Sequence, residues 1–267
     1  MRGSDRPSWP EITHLTAYVK DALSKAYILP VAKVCNAACV FCATDIYDPA
    51  TPQEMMKLDE LPAALALLAS AGVCRFEITG GGEPTLHPGI ADIIAQVRES
   101  SNGHIKLYSN AARLPRGEMI DELNISRCAV DPIKNQQLMQ IRPRSMPLDE
   151  NIERARALGY KRIRLSVPIL KGGVESLSDA LDFVDVAASL VEGVVFRPLY
   201  PATPNRDRYD LDHLDTVGWL EALSSSSVVR ESGLDVEVDV EGCFRASQLI
   251  LASDLGLYRD WSLGYPV

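Results

Sequence analysis

The sequence predicts an α/β fold whose strand–helix units curl into a closed or nearly closed barrel. Three observations predict it. Seven short apolar runs alternate with stretches of helical periodicity, the pattern of right-handed βαβ units around a parallel sheet. The chain has 267 residues, close to the roughly 250 that such barrels use. The residues suited to chemistry fall just after the strands, where barrel enzymes keep their sites.

Taken in order, the expected strands are Tyr27–Val34, Arg75–Thr79, Ile105–Ser109, Ser126–Val130, Arg162–Val167, Val194–Leu199 and Val236–Val240. The clearest helices between them are Leu58–Ala71, Ile90–Glu99, Asn151–Leu158, Leu177–Leu190 and Leu211–Leu223, each with apolar residues three and four apart. Asp149 and Glu150 supply acid at one helix start, and Gly159 follows that helix's end. Ser224-Ser225-Ser226-Ser227 reads as a loop, and no repeat or low-complexity tract stands out. The expected division is an N-terminal extension over 1–26, a barrel over 27–209 and a short C-terminal cap over 210–267.

Composition narrows the class. Hydrophobic residues make up 46% of the chain and charged residues 24%, enough core and too little charge for global disorder. A net charge of −9 argues against a nucleic-acid surface. The start, MRGSDRPSWPEITHL, lacks the apolar run of a signal peptide, and no stretch reaches the ~18 apolar residues of a membrane span. The expectation is a cytoplasmic protein with no membrane and no nucleic-acid partner. Six cysteines in such a compartment point to metal rather than disulfides.

Cys35-Asn-Ala-Ala-Cys39-Val-Phe-Cys42 is the strongest signal. Three thiolates this close wrap one face of a cubane cluster and leave one iron without a protein ligand, an open position of the catalytic kind. The competing readings are a zinc site, which wants a fourth Cys or His, and three inert thiols. His14 and His87, the nearest histidines, do not sit at zinc-finger spacing. Next comes Thr79-Gly80-Gly81-Gly82-Glu83-Pro84-Thr85. Its glycines permit close backbone approach to a ligand, and Glu83 offers a carboxylate to an ammonium. A plain strand–helix turn is the bland alternative.

These paired motifs, CxxxCxxC after the first strand and GGEP after the second, resemble the radical SAM superfamily over roughly Tyr27 to Leu199. The resemblance implies a partial (β/α)6 TIM-like barrel with a short C-terminal cap. It implies that Cys35, Cys39 and Cys42 ligate a [4Fe–4S] cluster, whose fourth iron takes the amino and carboxylate groups of S-adenosyl-L-methionine (SAM). It places Phe41 against adenine, and Gly81, Gly82 and Glu83 at the methionine ammonium. Ser109 and Asn110 match a polar strand end that touches SAM, although Ser-Asn-Ala stands where Thr-Asn-Gly is commoner. Arg164 and Ser166 share one face of their strand. Arg164 is assigned to the SAM carboxylate, with a rim salt bridge as the alternative. Arg197 is assigned to the adenine edge or to substrate. The activity implied is reductive SAM cleavage and hydrogen abstraction from a small polar substrate such as a sugar, nucleoside or amino-acid scaffold. An external electron donor of the flavodoxin or ferredoxin type is implied as well.

Arg142, Arg144, Arg206, Arg208, Tyr200 and Tyr209 crowd the expected mouth and suggest a phosphate- or carboxylate-bearing substrate; solvated loop charges are the plainer reading. Cys74 and Cys128 read as core thiols, Cys128 inside the fourth strand. Cys243 follows the seventh strand and is the candidate catalytic residue, a hydrogen-atom donor to a substrate radical, or else a small apolar filler. Rival functions are a radical SAM enzyme acting on a peptide or protein, including glycyl-radical activation, and a non-catalytic metal-binding protein.

Overall fold

The computed structural model describes residues 24–42, 53–142, 144–199, 206–209, 218, 221–223, 225–238 and 249–258. The strands are β1 (Lys25–Ile28), β2 (Val31–Ala32), β3 (Glu54–Met55), β4 (Arg75–Ile78), β5 (His104–Ser109), β6 (Glu122–Ser126), β7 (Ile163–Ile169), β8 (Gly193–Pro198), β9 (Asp235–Val238), β10 (Leu249–Leu251) and β11 (Leu257–Tyr258). The helices are α1 (Leu61–Ser70), α2 (Ile90–Ser100), α3 (Pro132–Met139), α4 (Leu148–Ala157), α5 (Leu177–Ala188), α6 (Arg206–Tyr209) and α7 (Ser227–Ser232). Nine strands form one sheet in the order β11-β10-β1-β4-β5-β6-β7-β8-β9, parallel except for the β10–β11 hairpin. A separate ribbon pairs β2 with β3. This is the mixed α/β, mostly parallel architecture expected of a partial barrel.

The two sheet faces differ in chemistry. Ala26, Ile28, Phe76, Ile78, Ile105, Leu107, Leu123, Ile125, Leu165, Val194 and Phe196 pack with the helices into one large apolar core. Their alternates, among them Glu77, Lys106, Tyr108, Glu122, Asn124, Arg164, Ser166 and Arg197, stand on the opposite, inner face. The inner face is therefore polar from β4 to β7, unlike the branched apolar filling usual in closed (β/α)8 barrels, while Tyr27 and Ile250 make an apolar patch on it at β1 and β10. At the barrel's amino-terminal end, charges neutralise one another. Lys106 and Arg162 each lie 2.8 Å from Glu122, Arg162 lies 2.9 Å from Asp235, and Arg164 lies 3.2 Å from Glu237.

Several expectations change. The fourth strand is Glu122–Ser126, not Ser126–Val130, so Cys128 lies in the loop beyond it rather than inside it. The first expected strand divides into β1 and the outer ribbon. The apolar run at 249–251 is a strand beside β1, so part of the expected cap extends the sheet. Cys74 is exposed rather than a core thiol. The helix expected over Leu211–Leu223 lies largely outside the described residues, as does Tyr200. Among the described residues no helix is long and apolar enough to cross a membrane.

Candidate active site

Three loops meet at the carboxyl ends of the strands: the cysteine loop 35–42, the turn 79–87 after β4, and the 109–112 segment after β5. The turn folds back on the chain that leads to the cysteines. Ala32 bridges Gly81, Lys33 N–H donates to Gly81 carbonyl, and Glu83 N–H donates to Val34 carbonyl at 2.9 Å. A Cβ on Gly82 would stand 2.8 Å from the Val34 carbonyl carbon, so no larger residue fits. The glycine requirement expected from ligand approach is thus already imposed by the chain itself.

Glu83 is 4% exposed and its carboxylate ties two strand ends together. Oε1 accepts from Thr85 N–H at 3.2 Å, Thr85 Oγ1 at 2.6 Å and Ser109 Oγ at 2.7 Å; Oε2 accepts from Asn110 N–H at 2.8 Å. Burial pushes this carboxyl above its ordinary range, and the bonds from Asn110, Thr85 and Ser109 pull it back only in part. Among the described residues no cation pairs with it. A buried carboxylate with one oxygen only singly bonded and no countercharge suits an ammonium group.

The cysteine loop docks on the last turn of α3. Ala38 N–H donates to Met139 carbonyl at 3.2 Å, Val40 N–H to Leu138 carbonyl at 3.0 Å, and Cys39 Sγ lies 3.5 Å from Met139 carbonyl oxygen. Phe41, with Ala37, Cys39 and Val40, packs on a small apolar cluster of Cys128, Leu138, Met139, Ile141, Leu170 and Leu199. Burial first, then Glu83 and the neighbouring thiol of Cys42, hold the Cys35 thiol above its ordinary range. Cys39 is raised by burial, then by Cys42 and Cys35.

Do these residues fit an iron–sulfur cubane? Among the described residues no three His, Cys, Asp or Glu side chains converge to hold a single ion. A cubane needs no such point, because each thiolate takes a different iron. Thiols that repel one another as they ionise, next to a buried carboxylate, are stabilised by a cationic centre. The donor set fits the group.

The remaining assignments divide. Ser109 and Asn110 reach the site, though Ser109 spends its hydroxyl proton on Glu83. Ser166 and Arg197 lie half-buried in the barrel interior. Arg197 Nη1 donates to Ser166 Oγ at 3.3 Å, and its guanidinium stands 5.4 Å from the Tyr108 ring. Arg164 is a correction. It is the second residue of β7, at the amino-terminal end, where Glu237 and Asp235 take its charge at 3.2 and 3.6 Å. The salt-bridge alternative accounts for it, not the SAM carboxylate. Arg142, Arg144 and Arg208 are exposed. Cys243 and the side chain of Arg206 lie outside the described residues.

Sequence reasoning missed Asn36, Asn110's side-chain role and Arg127. Arg127 is 1% exposed and donates to the carbonyls of Ala129, Val130 and Met146 at 2.8 to 3.1 Å. It folds the loops on either side of α3 into the platform beneath the cysteine loop. An arginine directly after the alternating Glu122-Leu-Asn-Ile-Ser126 run was the available signal.

The comparisons with known proteins agree. Residues 29–187 match the family model described as the Radical SAM superfamily. GTP 3′,8-cyclase of Haemophilus ducreyi is 31% identical over 151 residues, 54% of this chain and 44% of that protein. Molybdenum cofactor biosynthesis protein 1 of Bos taurus is 26% identical over 202 residues, 72% of this chain and 31% of that protein. The chain thus spans less than half the length of these relatives. The crystal structure of Streptococcus suis SuiB bound to S-adenosylmethionine superposes with a TM-score of 0.72 at 15% identity, covering 93% of this chain and 63% of that one. Enzymes of this superfamily bind a [4Fe–4S] cluster and SAM. With the model match covering more than half its length, the chain belongs to the radical SAM superfamily.

Proposed function

We propose that this radical SAM enzyme cleaves SAM reductively and takes a hydrogen atom from a small polar substrate. One observation carries the reading: Glu83, buried and with no countercharge among the described residues, joins the ends of β4 and β5 beside the loop that bears Cys35, Cys39 and Cys42. In this reading Cys35, Cys39 and Cys42 hold the cluster. Glu83, Asn110 and the Gly81-Gly82 backbone orient the methionine end of SAM, and Phe41 lies toward the adenine. Bound cluster and SAM together supply the electron and the 5′-deoxyadenosyl radical; the chain supplies placement and exclusion of water.

The substrate class rests on two supports. The inner face of the barrel is polar, with Tyr108, Ser126, Ser166 and Arg197 all partly accessible. The relatives similar in sequence bear names of small-molecule metabolism, GTP 3′,8-cyclase among them. SuiB has also been crystallised with a precursor peptide, but at 16% identity that likeness concerns the fold. An external one-electron donor of the flavodoxin or ferredoxin type completes the reading.

The test is anaerobic reconstitution followed by incubation with SAM, dithionite and deuterated candidate substrates, a purine nucleoside triphosphate first. The expected result is about four irons per chain, the content of one cubane, with deuterium in 5′-deoxyadenosine. Cys35→Ala, Cys39→Ala and Cys42→Ala each remove iron and 5′-deoxyadenosine together. Iron binding without any SAM cleavage would leave only a metal-binding protein.

A further inference from the structure

We propose that Asn36, the residue after the first cysteine, is a positioning residue that couples the cluster loop to the SAM-holding ends of β4 and β5 through the side chain of Asn110. The inference rests on the reading above and extends it to two side chains that neither ligate iron nor carry charge.

The geometry is a directed chain of hydrogen bonds. Asn36 carbonyl accepts from Arg142 N–H at 2.7 Å, and Asn36 Nδ2 donates to Arg142 carbonyl at 2.8 Å. The Arg142 backbone therefore grips Asn36 twice and fixes which way its amide faces. Oδ1 points the other way and accepts from Asn110 Nδ2 at 2.8 Å. The orientation of Asn110 is fixed independently, because its own Oδ1 accepts from Ala112 N–H at 2.9 Å. Both amide assignments thus follow from backbone partners whose donor or acceptor character is not in question. The same Asn110 donates its backbone N–H to Glu83 Oε2 at 2.8 Å.

One residue at the end of β5 consequently holds the buried carboxylate with its main chain and the cysteine loop with its side chain. Asn110 is 7% exposed and Glu83 4%, so water does not substitute readily for the bond between them, while the bond from Asn110 to Asn36 is part-buried. The chemistry demands an amide at both positions. Aspartate at 36 loses the donor to the Arg142 carbonyl and brings a second carboxylate toward Glu83. Aspartate at 110 loses the donor to Asn36. A ligand drawn to Glu83 therefore stiffens the segment that orients the cysteine loop, and by linkage an ordered cysteine loop strengthens ligand binding at Glu83.

The test uses reconstituted protein and two readouts besides turnover. One is the SAM dissociation constant. The other is the rate at which a chelator strips iron, measured with and without SAM. Losing one neutral hydrogen bond corresponds to a factor of about 2 to 12. Asn36→Ala is expected to keep about four irons, to bind SAM about 2- to 12-fold more weakly, and to lose much of the protection that SAM gives against chelation. Asn110→Ala does the same, and the effects of the two alanines on SAM affinity are less than additive, since the Asn36–Asn110 bond is common to both while each also loses one bond of its own, to the Arg142 carbonyl or from Ala112 N–H. Asn36→Asp keeps the acceptor for Asn110 and loses the donor to the Arg142 carbonyl, so it retains part of the coupling that Asn36→Ala loses.

Wild-type SAM affinity and wild-type SAM protection in Asn36→Ala would overturn the coupling while leaving the cluster reading intact. Fully additive effects of the two alanines would overturn it as well. Failure of the unsubstituted protein to bind SAM would overturn the functional reading itself. Should Asn36→Ala fold poorly, Asn36→Ser, with a shorter donor and acceptor, carries the same comparison.

Discussion

Gly82 and Glu83 show how narrowly single residues are constrained here. Gly82→Ala drives a methyl group into the Val34 backbone. Because the obstacle is main chain and not a flexible side-chain end, the expected loss is about 2–3 kcal/mol of stability, read by denaturant unfolding of the apoprotein. Glu83→Gln is sterically mild but electrostatically severe. It replaces an acceptor-only group by one with a donor, facing four donors already in place. The expected outcome is SAM binding weakened at least about tenfold, through loss of a charge-assisted acceptor. A fall in thermal stability should accompany it, with iron content retained. The motif residues were legible because thiol and glycine spacing expresses chemistry that few other needs impose. Arg164 was misassigned although its height was legible, since the expected strand, Arg162–Val167, already put it near the amino-terminal end. Its strand begins at Ile163, one residue earlier, and that puts the guanidinium at the far end of the barrel. Asn36 and Asn110 were illegible as a pair, 74 residues apart and joined only by the fold.

Among the elements, α3 matters more than its eight residues suggest. Asp131 caps it through Ile133 and Lys134 N–H groups at 2.9 and 2.8 Å, and Gln140 ends it in a left-handed conformation with φ 49°. Its last carbonyls, from Leu138 and Met139, would otherwise go unbonded and instead receive the cysteine loop. Arg127 underpins this arrangement, and burial pulls its guanidinium down to about 10. Arg127→Met takes the guanidinium donors from one buried and two part-buried carbonyls. It is expected to cost about 3 kcal/mol and to lower iron occupancy after reconstitution, whereas Arg127→Lys recovers part of both. The sequence reading missed α3 because Asn135, Gln136 and Gln137 interrupt its apolar pattern, and it shifted β6 for a related reason. Cys-Ala-Val at 128–130 is the more apolar run. The true strand alternates Leu123 and Ile125 toward the helices with Glu122, Asn124 and Ser126 toward a polar interior. The helices α2 and α5, whose partners are an ordinary apolar core, were read nearly to the residue.

For the whole molecule, the polar interior makes stability depend on pH. Burial alone would raise the Glu122 carboxyl, but Lys106 and Arg162, with Arg164 beyond, outweigh it and hold the group below its usual range. A carboxylate depressed in the folded state stabilises the fold above its unfolded pKa, ~4.3, and that contribution is lost as pH falls through the lower folded value. Unfolding free energy should therefore decline on acidification below about pH 5. Glu122→Gln should cost about 2 kcal/mol at neutral pH and flatten the decline, as checked by urea titrations from pH 3 to 7. The overall architecture was legible because alternation of strands and helices is a property of the whole chain. The place of β10 was not, since Leu249–Leu251 belongs beside β1 for reasons of topology alone.

That placement governs how the protein is made. Residue 26 finds residue 249 as its partner, so one side of β1 waits until residue 249 has been synthesised. During translation the nascent chain carries an unsatisfied parallel edge, Ala26-Tyr27-Ile28, while the strands from β4 to β9 emerge. Such long-range closure is slow and leaves that edge open to intermolecular pairing. Expression at reduced temperature, or with chaperones that shield strand edges, is therefore expected to raise the yield of folded protein by protecting this closing step.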